Sequence, residues 1–211
     1  MLDFVDIPTT AFAQTCRLLI QQESNKTVIV DPGESAQVVQ IIKQFGLNPE
    51  AILLTHGHLD HVGGVANLLK EYPELKVYGP SVEDEALLNT LEQQAQAFGI
   101  ESSGNFSTEY VKDGQELQLF DDASFQVLFT PGHTPGGVCY YCKEENFVLV
   151  GDTLFAGSVG RTDFPGGSFP ALLNSIRTKL FTLPDDTEVF CGHGEDTTIG
   201  TEKATNPYTR E

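Results

Sequence analysis

Basic residues are scarce in this chain of 211 residues, where 12 Lys and Arg stand against 30 Asp and Glu and leave a formal charge of −18. A field of that sign repels polyphosphates and anionic membrane surfaces, so neither nucleic acid nor membrane is expected as a partner. No run of 18 apolar residues is present, and the opening MLDFVDIPTTAFAQ carries an acid early and lacks both a basic segment and an apolar stretch. Export is not signalled, and a cytoplasmic location is expected. Cysteine is sparse too. Cys16, Cys139, Cys142 and Cys191 are too few and too scattered for a disulfide framework in a chain of this size. Cys139 and Cys142 have the C-x-x-C spacing of redox and zinc pairs. They lie in the strand-like GGVCYYCKEE, however, where residues three apart point to opposite faces and cannot share a metal. Exact repeats, low-complexity segments and linkers are lacking as well.

What is there is ordinary globular material: 40% hydrophobic residues with 14 Phe and 20 Gly exclude a disordered chain and leave enough apolar surface for a core. A single domain over residues 1–211 is expected. Strand-like runs at Leu2 to Ile7, Cys16 to Gln21 and Lys26 to Asp31 precede the turn signal Asp31-Pro32-Gly33. Ala36, Val38, Val39, Ile41, Ile42 and Phe45 recur at helical spacing, with Gly46 as a stop. Ala51 to Thr55 reads as a buried strand, and Val65, Leu68, Leu69 and Tyr72 mark a helix. A strand at Lys76 to Gly79 and a helix from about Ser81 to Phe98 follow, with Ser81 and Asp84 resembling a capping box. The second half alternates again: strands near Glu116 to Phe120, Ser124 to Thr130, Gly137 to Cys142 and Phe147 to Val150, a helix at Ala171 to Leu180, and a strand at Glu188 to Cys191. Sheet-forming and helical stretches in both halves predict an α/β fold of two sheets packed face to face with helices outside.

All five histidines stand just beyond strand-like runs. His56, His58 and His61 follow AILLT, His133 follows FQVLFTPG and His193 follows EVFCG, while Asp152 follows FVLVG in the same way. Strand ends converging at one edge would bring these groups into one cleft. Within His56-x-His58-x-Asp60-His61 the intervals fit no single helical face, so an irregular loop must present the side chains. Gly57 would permit unusual backbone angles, and Gly63 and Gly64 close backbone approach.

Imidazole and carboxylate together suit zinc, iron or manganese rather than magnesium or calcium. Seven candidate ligands, His56, His58, Asp60, His61, His133, Asp152 and His193, exceed one tetrahedral site. Two divalent ions about 3.5 to 4 Å apart, bridged by Asp152 and a hydroxide, would use them all, with zinc the first choice.

The order THGHLDHVGG (Thr55 to Gly64), PGHTPGG, GDTLF and CGHG resembles the metallo-β-lactamase superfamily over Thr55 to Gly194. The resemblance implies a four-layer αββα sandwich. It also implies that His56, His58 and His133 hold a first metal and Asp60, His61 and His193 a second, with Asp152 between them. Within the superfamily, lactamases that open antibiotic rings usually carry Cys where Asp152 stands. Oxygen-reducing di-iron relatives have Glu at the position of His58, and RNA-processing relatives need a basic track.

GDTLFAGSVGRTDFPGG resembles the glyoxalase II group, above all its short bacterial forms, which implies hydrolysis of S-acylglutathione thioesters with Asp60 and Asp152 as the carboxylates at the reacting centre. Arg161 stands where that group usually has a glutathione-binding Lys, and either cation suits a substrate carboxylate. An internal pair with Asp163 is the competing role for Arg161. Two departures stand out: the chain ends at Glu211 without the helical C-terminal extension of full-length enzymes, and Asp163 occupies a position often aromatic there. GRTDF also resembles persulfide dioxygenases, which use one iron held by the counterparts of His56, His133 and Asp152. A metal-stabilised sensing or binding module without turnover is the non-enzymatic alternative.

Overall fold

The computed structural model describes residues 1–210. Strands β1 (Leu2–Thr9), β2 (Gln14–Gln21) and β3 (Lys26–Val30) form an antiparallel meander. Helix α1 (Ala36–Phe45) crosses over to β4 (Asn48–Leu53), parallel to β3. Short helices α2 (Leu59–Val62) and α3 (Val65–Glu71) then lead to β5 (Lys76–Tyr78), which completes a five-stranded sheet in the order β1-β2-β3-β4-β5. Gly46 ends α1 as read: it lies in the left-handed region at φ 63° and donates its N–H to the Ile42 carbonyl.

After α4 (Glu85–Leu88) and α5 (Leu91–Phe98) the chain lays down β6 (Glu116–Gln118), β7 (Ser124–Phe129), β8 (Val138–Cys142) and β9 (Phe147–Gly151). A small hairpin, β10 (Leu154–Phe155) and β11 (Ser158–Val159), precedes α6 (Phe169–Thr178), β12 (Glu188–Cys191), β13 (Thr197–Thr198) and α7 (Ile199–Thr205). The second sheet has the order β13-β12-β9-β8-β7-β6.

Strand faces decide the layering. Leu19, Val28, Val30 and Leu53 of the first sheet share a core with Phe125, Val127, Tyr140 and Leu149 of the second. Their neighbours Leu18, Ile29 and Ile52 pack on the other side against Val38 and Ile42 of α1, Val65 and Leu68 of α3 and Leu91 of α5. Outside the second sheet, Cys139, Val148 and Val150 meet Leu172 and Ile176 of α6 and Ile199 of α7. The result is the αββα sandwich. Strands covered on both faces need apolar residues throughout, which is why β8 and β9 are buried at every position. Cys139 belongs to the outer core and Cys142 to the inner one, as the period of two requires. Among the described residues no helix is long and apolar enough to cross a membrane.

Two helix expectations need correction. The stretch from Ser81 to Phe98 is broken into a 3₁₀ turn (Val82–Asp84), α4 and α5. Side chains take the carbonyls that a continuous helix would use: Thr90 Oγ1 donates to Ala86 and Leu87, and Gln94 Nε2 also reaches Leu87. Nor does Ser81 cap it: its hydroxyl goes to Glu83, and the Asp84 side chain leaves the helix altogether. Helix α6 begins two residues before Ala171, because Ser168 caps it by accepting from the Ala171 N–H and Pro170 in the first turn has no N–H to satisfy.

Candidate metal centre

Strand direction gathers the site. β7 and β8 are antiparallel, as are β8 and β9, while β12 runs parallel to β9, so β7, β9 and β12 all end at one edge of their sheet. The loops leaving those ends carry His133, Asp152 and His193, and the loop leaving β4 in the facing sheet carries His56 and His58 before Asp60 and His61 enter α2. The glycines here act through space. Gly57 is not left-handed, contrary to expectation; a Cβ there would stand 2.9 Å from Leu87 Cβ. Cβ atoms on Gly63 and Gly64 would meet the Gly33 carbonyl oxygen at 2.7 Å and the Glu34 carbonyl carbon at 2.5 Å, so these two do permit close backbone approach.

All seven predicted side chains converge. His56, His58 and His133 form one group whose ligand atoms lie within 4.8 Å of one another, and Asp60, His61 and His193 form a second within the same limit. His58 Nδ1 lies 2.9 Å from His133 Nε2, and His61 Nε2 lies 3.4 Å from His193 Nε2. Asp152 stands between the groups: Oδ1 is 3.3 Å from His61 Nε2, and Oδ2 is 3.6 Å from both His133 Nε2 and His193 Nε2.

This donor set fits divalent metal. His56 Nε2 and Asp152 Oδ1 are buried without a hydrogen-bond partner, a cost of about 1–3 kcal/mol for a polar group. Burial and then the adjacent His133 push the His58 imidazole down to about 3, which keeps it neutral as a ligand must be. Burial alone would raise the Asp152 carboxyl, but His61 and the other imidazoles outweigh it and hold the group ionised, well below the usual carboxylate range.

The sequence model of the metallo-beta-lactamase superfamily matches residues 14–193. The chain belongs to that superfamily. Hydroxyacylglutathione hydrolase GloC of Haemophilus influenzae is 43% identical over 204 residues, which cover 96% of this chain and 95% of that protein. Among solved structures, BLEG-1 B3 metallo-beta-lactamase superposes with a TM-score of 0.89 at 34% identity, covering 99% of this chain and all of that one. TTHA1623 in a di-iron-bound form gives 0.87 at 37% identity, covering 97% and 99%. ETHE1 from Myxococcus xanthus is more distant, at 0.77 and 28% identity, covering 97% and 83%.

In this member of the superfamily the side chains of the two donor groups are themselves held by further residues, Asp31, Thr55 and Asp84 among them. Asp31 Oδ1 accepts the Thr55 N–H at 2.8 Å, and Oδ2 accepts from the Thr55 hydroxyl at 2.6 Å and from His61 Nδ1 at 2.8 Å. Asp31 is near enough to His56 and His61 to form a third potential group, but these bonds already occupy both its oxygens. With its proton given to Asp31, the Thr55 hydroxyl accepts from His56 Nδ1 at 3.0 Å and leaves Nε2 free. His133 Nδ1 donates to the Arg161 carbonyl at 2.8 Å and His193 Nδ1 to the Phe12 carbonyl at 3.2 Å, so both rings also turn Nε2 to the centre. Asp84 joins the two loops of the first group by accepting from the Gly57 N–H, the Thr134 hydroxyl and the Gly136 N–H. One signal for Asp31 was present in the sequence: like Asp152, it is an acid directly after an apolar strand.

Arg161 lies at the rim of the cleft, but its guanidinium is committed to Asp163 through bonds of 2.7 and 2.6 Å, with both side chains more than half exposed. The cleft is about 420 Å³, floored by His58, Asp60, His133, Asp152 and His193 and walled by Phe12, Leu59, Phe98, Ile100 and Phe164.

Proposed function

We propose that the chain is a metal-dependent thioesterase acting on S-acylglutathione, with His56, His58 and His133 holding one ion, Asp60, His61 and His193 a second, and Asp152 bridging. The observation that carries this is Asp152, a partly buried carboxylate within 3.6 Å of imidazoles from both groups, at the floor of an open cleft. The 43% identity to a hydroxyacylglutathione hydrolase along nearly the whole of both chains supports the substrate class. When bound, two zinc ions would supply hydroxide near neutral pH, since a metal lowers the pKa of its water to about 7, and would polarise the acyl oxygen. Iron and manganese suit the same ligand types.

The chain's own residues do the rest. Asp60 and Asp152 are the carboxylates that line the cleft, and Asp60, whose Oδ2 lies 3.4 Å from His193 Nε2, would orient the attacking water. A leaving thiol, with an intrinsic pKa of about 8.5, departs as thiolate without a general acid. An amide nitrogen needs a proton. All five histidines are taken by the two donor groups, which favours a thioester over a lactam. Arg161 receives a glutathione carboxylate by exchanging it for Asp163. The buried, unbridged thiols suit the reducing cytoplasm.

A mono-iron dioxygenase would leave Asp60, His61 and His193 without a role, and a sensing module would leave the open cleft without one. Metal analysis joined to parallel assays with S-lactoylglutathione and glutathione persulfide tests the reading. About two ions per chain and chelator-sensitive release of glutathione from the thioester are expected. One iron per chain with oxygen uptake on the persulfide would overturn it.

A further inference from the structure

Three aromatic rings from three separate segments meet at the mouth of the metal cleft. Phe12 comes from the turn between β1 and β2, Phe98 ends α5, and Phe164 lies three residues after Arg161. Phe12 and Phe98 meet edge to face with centroids 6.1 Å apart, Phe98 and Phe164 at 5.7 Å, and Phe164 reaches the His58 ring at 5.6 Å. Phe12 and Phe98 remain 47% and 44% exposed, so this apolar surface is desolvated only when something enters the cleft. The turn that carries Phe12 is held in an uncommon conformation, with Thr10 and Ala13 at φ 59° and 53°. Its Phe12 carbonyl accepts from His193. The ring is therefore positioned relative to the second donor group, while Phe164 adjoins the first.

The two sides of the cleft differ in chemistry. Arg161 lies over Phe164 at 4.0 Å, and it is the one Lys or Arg among the described lining residues. Around Phe12, Phe98 and Ile100 the lining is apolar. A thioester with its carbonyl at the donor groups and its anionic thiol toward Arg161 and Phe164 has its acyl group free to cover Phe12 and the face of Phe98 turned to it. We infer that Phe12, Phe98 and Ile100 form an acyl pocket, and that the enzyme prefers acyl groups bearing an aryl or comparably bulky apolar substituent over small hydroxyacyl groups. This rests on the thioesterase reading above. A lactoyl methyl leaves both rings wet, whereas a phenyl in its place can meet them edge to face.

The test compares S-lactoyl- and S-mandeloylglutathione, which share the thiol and the α-hydroxyl and differ as methyl and phenyl. A single methylene in a hydrophobic pocket is worth roughly 10-fold or more, so mandeloyl should be favoured in kcat/KM by at least about that factor. Phe12→Ala and Phe98→Ala should bring the ratio toward one with metal content unchanged, Phe98→Leu should keep part of it, and moving both acyl groups to N-acetylcysteamine should preserve it. Calorimetric binding of mandelate against lactate reads the same pocket without turnover. Mandelate should bind more tightly to the parent and lose that advantage in Phe98→Ala. Equal turnover of the two thioesters, or a ratio unmoved by both alanine variants, overturns the acyl pocket and leaves the thioesterase standing. Preferential mandelate binding without hydrolysis of either thioester overturns the thioesterase and leaves the pocket.

Discussion

Asp31 fixes His61: the carboxylate Oδ2 accepts from the ring Nδ1 at 2.8 Å, so Nε2 turns toward Asp60 and Asp152. Removing such a partner costs about 10- to 100-fold in metal affinity. Asp31→Ala should therefore weaken metal binding by about that factor, at the second donor group through His61 and at the first through Thr55 and His56, seen as metal loss under chelator competition. Unchanged affinity would mean that packing alone orients the buried ring.

Chelation should lower the melting temperature reversibly. His56 Nε2 and Asp152 Oδ1 are buried without a hydrogen-bond partner, and Asp60 faces Asp152 across the same centre. A ligand at about a thousand times its dissociation constant stabilises by about 4 kcal/mol. At roughly 2–4 °C per kcal/mol for a chain of this size, a drop on the order of 10 °C is expected in differential scanning calorimetry, restored by added metal. Equal melting curves with metal loss confirmed would contradict a site that the fold depends on.

Gly160 separates a need for space from a need for backbone freedom. A Cβ there would lie 1.8 Å from the Asp152 carbonyl oxygen, whereas Gly157 has open space but sits at φ +67°. Gly160→Ala should displace Asp152 and lose most of the metal, while Gly157→Ala should cost about 1 kcal/mol of stability and keep the metal. Elemental analysis of the two proteins decides, and equal metal content in both would refute the distinction.

The convergence of the five histidines and two of the acids was legible because a position after an apolar strand predicts a shared sheet edge. The layering was legible from the sheet-forming and helical stretches present in both halves, each helix needing a sheet face to cover. Asp84 was not. Its spacing from Ser81 matches a capping box, but its three hydrogen bonds go to Gly57, Thr134 and Gly136, 27, 50 and 52 residues away, and no local pattern encodes such distances. The short β10, β11 and β13 escaped for the opposite reason: two residues carry no period. Helix α7 was missed as well, although Thr198 caps it by accepting from the Thr201 N–H. Gly57 was identified correctly and explained wrongly, because sequence cannot distinguish a left-handed angle from a missing Cβ against Leu87.

The Arg161–Asp163 pair makes a prediction in pH and another in kinetics. The hydrogen bond from Arg161 pulls the Asp163 carboxyl down to about 2. A carboxyl lowered in the folded state contributes stability that is complete above its unfolded value of about 3.9 and is lost as pH falls through the folded one, so the pair should hold until pH nears 2. Side-chain carboxyl shifts in an NMR titration should show this, and Arg161→Ala should return Asp163 toward the ordinary range. At neutral pH Asp163 competes with any anionic substrate for the guanidinium. Asp163→Asn should therefore lower KM for S-acylglutathione, and Arg161→Ala should raise it by a factor equivalent to about 1.5–3 kcal/mol, the worth of a hydrogen bond to a charged group. Metal should be retained in both, because it is the Arg161 backbone carbonyl, not the side chain, that holds His133. A small neutral thioester should be hydrolysed equally by all three proteins. If Asp163→Asn leaves KM unchanged and Arg161→Ala slows both substrates alike, Arg161 only braces its own loop and the carboxylate must be met elsewhere.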